Sequence, residues 1–180
     1  KDRRGQIPDM LSIHVRPPEI EDRQFPGHWE EDLIKGEGNA SAVGTLVERT
    51  SRLVMLVKLP EFKPASAANV LQAFTDKLLG IAQPMRLSMT KTQGREMSMH
   101  KKLSEQPGIA VYFCDPHSPW QRGSNENMNG LVRRYLPKGA GLSIYSQEQL
   151  DAIADEINNR PRKGLGGGTI ATGGLPRTAR

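Results

Sequence analysis

Two apolar runs stand only two residues apart, Ala42 to Arg49 and Arg52 to Leu59, with Thr50-Ser51 between them. A link that short joins neighbouring antiparallel strands, because a parallel return needs a crossover of a dozen residues or more. The second run is almost unbroken from Leu53 to Val57, the pattern of a strand covered on both faces. The hairpin therefore has to lie inside a layered structure. After it, Ala67, Val70, Leu71, Phe74, Leu78 and Ile81 recur at three- and four-residue steps, an amphipathic helix closed by Gly80 and Pro84. Buried strands followed by a helix that can cover them point to a mixed α/β sheet.

The remaining patterns extend that sheet. Asp32-Leu33-Ile34 is a short strand before the turn Lys35-Gly36-Glu37-Gly38-Asn39, and Met85 to Thr90 and Ile109 to Cys114 are two more. Glu96 to Leu103 has the composition of a short helix. Ser124 is placed to cap a helix over Asn125–Leu136, which Pro137 and Gly139 stop. Ser146 caps a last helix through Asn159, with Glu148 and Gln149 in its first turn and Leu150, Ile153, Ala154 and Ile157 as its apolar stripe. The order is β-β-β-α-β-(α)-β-α-α, which predicts a mixed five-stranded sheet flanked by helices. Residues 1–25 read as an arm or linker, rich in proline and without a sustained period; residues 26–163 carry the folded core. Residues 164–180 hold six of the chain's 18 glycines within their first 11 positions and are expected to be disordered.

Composition removes several functions. The one cysteine, Cys114, excludes an internal disulfide framework and a cysteine-built zinc site, and its place in an apolar strand suits buried filler. No apolar run is long enough to span a bilayer and no secretory leader opens the chain, so a cytoplasmic protein without a membrane partner is expected. The net charge of +5 is uneven: residues 133–180 carry 8 Lys/Arg against 4 Asp/Glu. A basic end of this kind suits a polyanionic partner or a solvated tail.

Three acidic positions sit where a sheet enzyme needs them: Asp32 at the first strand, Asp115 just past the fifth, and Glu126 in the first turn of the following helix. Ligands of mixed sheets gather at strand ends, and carboxylates meeting there repel unless a divalent cation joins them; all-oxygen ligands favour Mg²⁺ or Mn²⁺. An isolated Asp or Glu is more often a solvated surface group. Asp32 stands out because it leads an apolar strand, and Glu126 because Glu126, Asn129 and Arg133 line one helix face. His28, His100 and His117 are too scattered for a local metal motif, no phosphate-binding Gly-Lys-Ser/Thr loop or Gly-x-Ser-x-Gly elbow occurs, and Trp29 and Trp120 suit core or rim packing.

Longer words carry more. Gly27-His28-Trp29-Glu30-Glu31-Asp32-Leu33-Ile34-Lys35-Gly36, Gly44-Thr45-Leu46-Val47-Glu48-Arg49 and the run from Tyr112 through Ser118-Pro119-Trp120-Gln121-Arg122-Gly123-Ser124-Asn125-Glu126-Asn127 resemble transposases of the insertion-sequence-thirty family. The likeness extends from Arg4 to Lys163. It implies a ribonuclease-H-like fold of the retroviral-integrase type and a DDE transposase, a polynucleotidyl transferase working on transposon ends and target DNA as a homo-oligomer, nucleoid-associated when bound. It further implies catalysis and metal binding by Asp32 and Glu126 with Mg²⁺ or Mn²⁺. Arg122, Arg133, Arg134 and Lys138 are the expected DNA contacts.

The chain departs from the family pattern at one ligand. Thr92 occupies the second Asp position, 33 intervening residues before Glu126, within Thr90-Lys91-Thr92-Gln93-Gly94-Arg95-Glu96. A neutral hydroxyl removes one negative charge and a bridging oxygen, and Lys91 adds a positive charge beside it. Asp115 is the nearest spare carboxylate that could replace the missing one. The family's N-terminal helix-turn-helix region does not precede Lys1, and the glycine-rich tail resembles translation in a shifted frame. A truncated, degenerate copy with impaired strand transfer is the expectation; the alternative is an inactive remnant that only binds DNA or a transposase partner.

Overall fold

The computed structural model describes residues 11–59, 67–91 and 109–160. Its elements are β1 (Leu11–Ser12), α1 (Pro18–Glu21), β2 (His28–Lys35), β3 (Ala42–Glu48), β4 (Val54–Lys58), α2 (Ala67–Leu79), β5 (Ser88–Lys91), β6 (Ala110–Phe113), α3 (Gly123–Val132) and α4 (Gln147–Asn158), joined in part by short 3₁₀ turns. One six-stranded sheet runs in the order β1-β6-β5-β2-β3-β4. The hairpin read from the sequence is β3–β4, antiparallel, with β2 antiparallel to β3. From β2 the pairing turns parallel, through β5 and β6 to β1. The sixth strand is β1, supplied by two residues of the proline-rich arm, too short to show a period in sequence. The short helix expected over Glu96–Leu103, the far N-terminal arm and the glycine-rich tail lie outside the described residues.

Alternation along each strand divides the core into two layers. Trp29 and Leu33 of β2, Leu46 of β3, Val57 of β4 and Val111 and Phe113 of β6 meet Val70, Phe74 and Leu78 of α2 on one face. Ile34, Val43, Val47, Val54 and Leu56 meet Met128, Val132, Leu150, Ala154 and Ile157 of α3 and α4 on the other. The capping box expected at the start of α4 forms: Ser146 Oγ accepts from the Gln149 backbone N–H at 3.1 Å, and the Gln149 side chain accepts from the Ser146 N–H. Asn158 at its far end exchanges two hydrogen bonds of 2.9 Å with the Val54 backbone and pins α4 to β4.

Gly44 is what lets α2 approach β3. A Cβ there would lie 2.6 Å from Phe74 Cζ and 3.2 Å from Val57 Cβ, both in the packed layer. Gly44→Ala should therefore destabilise the fold by about 1–3 kcal/mol through overpacking, read as a lower urea midpoint at unchanged slope. Pairing it with Phe74→Leu should recover part of that loss relative to Phe74→Leu alone.

Candidate functional site

Strand β2 reads His28-Trp29-Glu30-Glu31-Asp32-Leu33-Ile34-Lys35, and the period of two sends its three carboxylates to opposite faces. Glu31 faces the α2 layer, where it meets Lys91 Nζ at 3.1 Å, with the ammonium 5.7 Å from the centre of the Phe113 ring. Glu30 and Asp32 face α3. Glu30 is fully buried and pairs with Arg49 at 2.5 Å. Burial pushes the Glu30 and Glu31 carboxyls above the usual range, while the neighbouring Arg49 and Lys91 charges oppose that rise.

Helix α3 docks on this strand through amides. Glu30 Oε2 accepts the Asn125 backbone N–H at 2.7 Å, and Asn125 Nδ2 donates to the Glu30 carbonyl at 3.1 Å. Four residues later Asn129 Nδ2 donates to Asp32 Oδ2 at 3.2 Å. The registers match, since four helical residues rise about 6 Å and two strand residues about 6.6 Å. Ser124 was expected to cap this helix, but it lies inside α3 and makes no cap bond; the helix begins at Gly123 with Arg122 as its N-cap. The buried Glu30 carboxylate takes over part of that task, accepting one of the orphaned N–H groups of the first turn, where negative charge is favoured.

Asp32 is the most heavily engaged group at this end of the sheet. Its Oδ1 accepts the Leu33 N–H at 2.8 Å, and its Oδ2 is shared between Asn129 and Arg122 Nη1, the latter at 3.1 Å. Arg122 is buried and donates also to the Glu31 carbonyl at 3.3 Å. Burial alone would lower its pKa; the charge and hydrogen bond of Asp32 outweigh that, and it stands above the usual value.

The other sequence candidates are dispersed around this pair. Glu126 is exposed in the first turn of α3, three residues before Asn129 and so on the same side of the helix. Arg133 donates to the Lys35 carbonyl at 2.9 Å and the Leu136 carbonyl at 3.4 Å, whereas Arg134 and Lys138 are exposed. Thr92 and His100 lie outside the described residues. His28 Nδ1 bonds Ser88 Oγ at 2.7 Å, and His117 is exposed. Trp29 is core, its indole N–H on the Met85 carbonyl, while Trp120 is 72 % exposed. Cys114 is buried, and burial raises its thiol pKa.

Asp115 is committed elsewhere: its Oδ2 accepts from Gln121 Nε2 at 3.0 Å and meets His14 Nε2 at 2.6 Å. These bonds draw its side chain toward the segment after β1, on the far side of β6 from Asp32. His14 was not singled out in the sequence, because a histidine a hundred residues away leaves no local signal.

The resemblance implies divalent metal, and the described residues do not fit it as they stand. Among them no group of three or more His, Cys, Asp or Glu side chains converges. The Asp32 oxygens are taken by two amide donors and a guanidinium, whose charge occupies the place a cation would need.

Comparison with known proteins places these observations. The chain is 66 % identical over 164 residues to the transposase for insertion sequence element IS1086 of Cupriavidus metallidurans, covering 91 % of this chain and 48 % of that protein. It is 46 % identical over 153 residues to the transposase InsI for element IS30A of Escherichia coli, covering 85 % and 39 %. The Bacteroides fragilis transposase for element IS4351 is 34 % identical over 163 residues, covering 91 % and 49 %. The chain thus spans about half the length, or less, of these relatives. No family model matches it. In structure it is similar to the catalytic core domain of bovine immunodeficiency virus (BIV) integrase, with a TM-score of 0.57, 20 % identity and coverage of 82 % of this chain and 93 % of that one. The fold is therefore that of the integrase catalytic cores.

The Asp115 bonds give a signed pH effect. Gln121 and His14 hold its carboxyl below the ordinary value of 3.8, so the contacts favour folding above that pH and lose their contribution as pH falls through the lower folded value. Asp115→Asn should cost stability near neutrality, and the gap from the parent should close in acid, measured by urea unfolding across a pH series.

Proposed function

The chain is homologous over most of its length to the transposases of the insertion-sequence-thirty family, and from that premise we propose that residues 26–163 form the catalytic core of a DNA-transposing polynucleotidyl transferase. Its chemistry is in-line displacement at phosphorus on DNA ends, in which negative charge grows on the attacking and leaving oxygens. The observation that supports this reading is the stitching of α3 to β2, in which the first turn of the helix, where Glu126 stands, is bonded to Glu30 and the next turn to Asp32. Asp32 and Glu126 are the carboxylates assigned to the reaction, of DDE type, with Mg²⁺ or Mn²⁺ as the ion the family resemblance implies.

Activity of this chain is severely impaired on the same reading. Thr92 withdraws one carboxylate, and Arg122 neutralises another, so the ligand set left for a divalent ion is poor in charge. Arg122 spends its charge on Asp32 and serves DNA only indirectly; Arg134 and Lys138, exposed just beyond α3, are the phosphate contacts, with Arg133 beside them tied to the Lys35 and Leu136 carbonyls. Acting as a homo-oligomer on DNA in the bacterial cytoplasm, at the nucleoid when bound, completes the proposal. Among the described residues no helix is long and apolar enough to cross a membrane. The second reading, an inactive remnant that binds DNA or a transposase partner, is favoured by the Arg122–Asp32 pair itself.

A strand-cleavage assay on a transposon-end duplex with Mn²⁺ separates these outcomes. The chain as it stands should cut at near-background rate and Thr92→Asp about 10²-fold faster, the scale of one transition-state-stabilising group. Equal rates for the two contradict the assigned role of position 92. DNA binding with a steep salt dependence in both, and cleavage in neither, selects the remnant.

A further inference from the structure

A cavity of about 320 Å³ opens beside the start of α3, and Arg16, Arg23 and Arg49 line it together with Glu21 and Trp120. Arg16 and Arg49 are more than nine-tenths buried, and the Nε of each is a buried donor without an acceptor among the described residues. Arg16 Nη1 donates to Thr90 Oγ1 at 2.9 Å, and its Nη2 pairs with Glu21. Arg49 pairs with Glu30 at 2.5 Å and reaches Glu21 at 3.6 Å. Arg23 makes no ion pair among the described residues and is held in a left-handed turn at φ 52°. His14, also in the lining, is engaged by Asp115.

The charges do not balance. Arg16 and Arg49 share two carboxylates and Arg23 is left over, while the charges of Arg52 and Glu48 act on Arg23 in opposite directions; Glu30 is also shared with the Asn125 N–H, and Glu21 is 58 % exposed at the rim. Burial, and next the charge of Arg49, lowers the pKa of Arg16 to about 10 and that of Arg23 below its ordinary value, as expected where cations crowd one another. A monoanion with several acceptor oxygens would supply the missing charge and bond the idle donors. Trp120, 72 % exposed on the cavity wall, offers an aromatic face beside them, a pairing of cation and ring that suits a nucleotide strand.

We propose that this cavity is a strand-binding subsite, in which Arg16, Arg23 and Arg49 hold a DNA phosphodiester and Trp120 stacks an unpaired base next to it. The subsite rests on the DNA-processing reading above and adds to it a preference for a frayed or overhanging end. Glu30, which anchors Arg49, lies two residues along β2 from Asp32, so the held phosphate flanks the reacting one.

The test uses the full chain, a short labelled duplex with blunt ends, the same duplex with a single-stranded overhang, and inorganic phosphate. The parent should bind the overhang duplex more tightly than the blunt one. Trp120→Ala should weaken the overhang complex roughly tenfold or more and abolish that preference. Arg23→Gln should weaken both complexes and reduce the slope of log affinity against log salt by about one. Both side chains are at least partly exposed, and unchanged melting temperatures without DNA confirm that the variants fold. Parent binding that neither substitution alters overturns the subsite and leaves the DNA-processing reading standing; failure of the parent to bind either duplex overturns both. A thermal shift with inorganic phosphate that Arg23→Gln removes, without any overhang preference, assigns the cavity to a small free anion and likewise overturns the proposal.

Discussion

Two carboxylates on one strand face, Glu30 and Asp32, determine what can be built at this end of the sheet. Placing a carboxylate under a helix costs several kcal/mol unless charge and hydrogen bonds meet it. Glu30 is met by Arg49 and the Asn125 N–H, and Asp32 by Arg122, Asn129 and the Leu33 N–H. Those partners in turn fix where α3 begins, which of its residues lie over β2, and where Glu126 stands. A polar seam of this kind adds little net stability, but it sets register closely, because sliding α3 by one residue would strand both acids. The cost is carried by the apolar layers, α2 on one face and α4 with the far half of α3 on the other.

The seam also places the proposed catalytic carboxylate and the cation that competes for it side by side. A carboxylate prepared for a divalent ion needs oxygens free of competing cations, and Asp32 has a guanidinium at 3.1 Å. The opposite face repeats the pattern with Glu31 and Lys91, so the strand end carries internal cations on both sides. The arginine cavity beside it continues the same network through Arg49, and there the cations exceed their partners.

Much of this fold was legible in the residues. The hairpin, α2 and the α4 cap follow from period, spacing and a capping box, all signals confined to a few turns of chain. What escaped were pairings between distant residues. Leu11–Ser12 becomes a strand only because the edge of β6 is open to it, and Ser124 loses its expected capping task to Glu30 from β2. Asp32 and Glu126 stand out by their setting and by resemblance, whereas the Arg122–Asp32 pair leaves no local signal, because the acid lies ninety residues earlier. His14, Arg16 and Arg49 were invisible as site residues for the same reason. The position of Thr92 falls outside the described residues.

The direct measurement is an anomalous-scattering map of crystals of this chain grown with Mn²⁺. The account predicts the Arg122 guanidinium on Asp32 and, at that carboxylate, no manganese peak or a single weak one. Two strong peaks bridging Asp32 and Glu126, with Arg122 swung away, would contradict it.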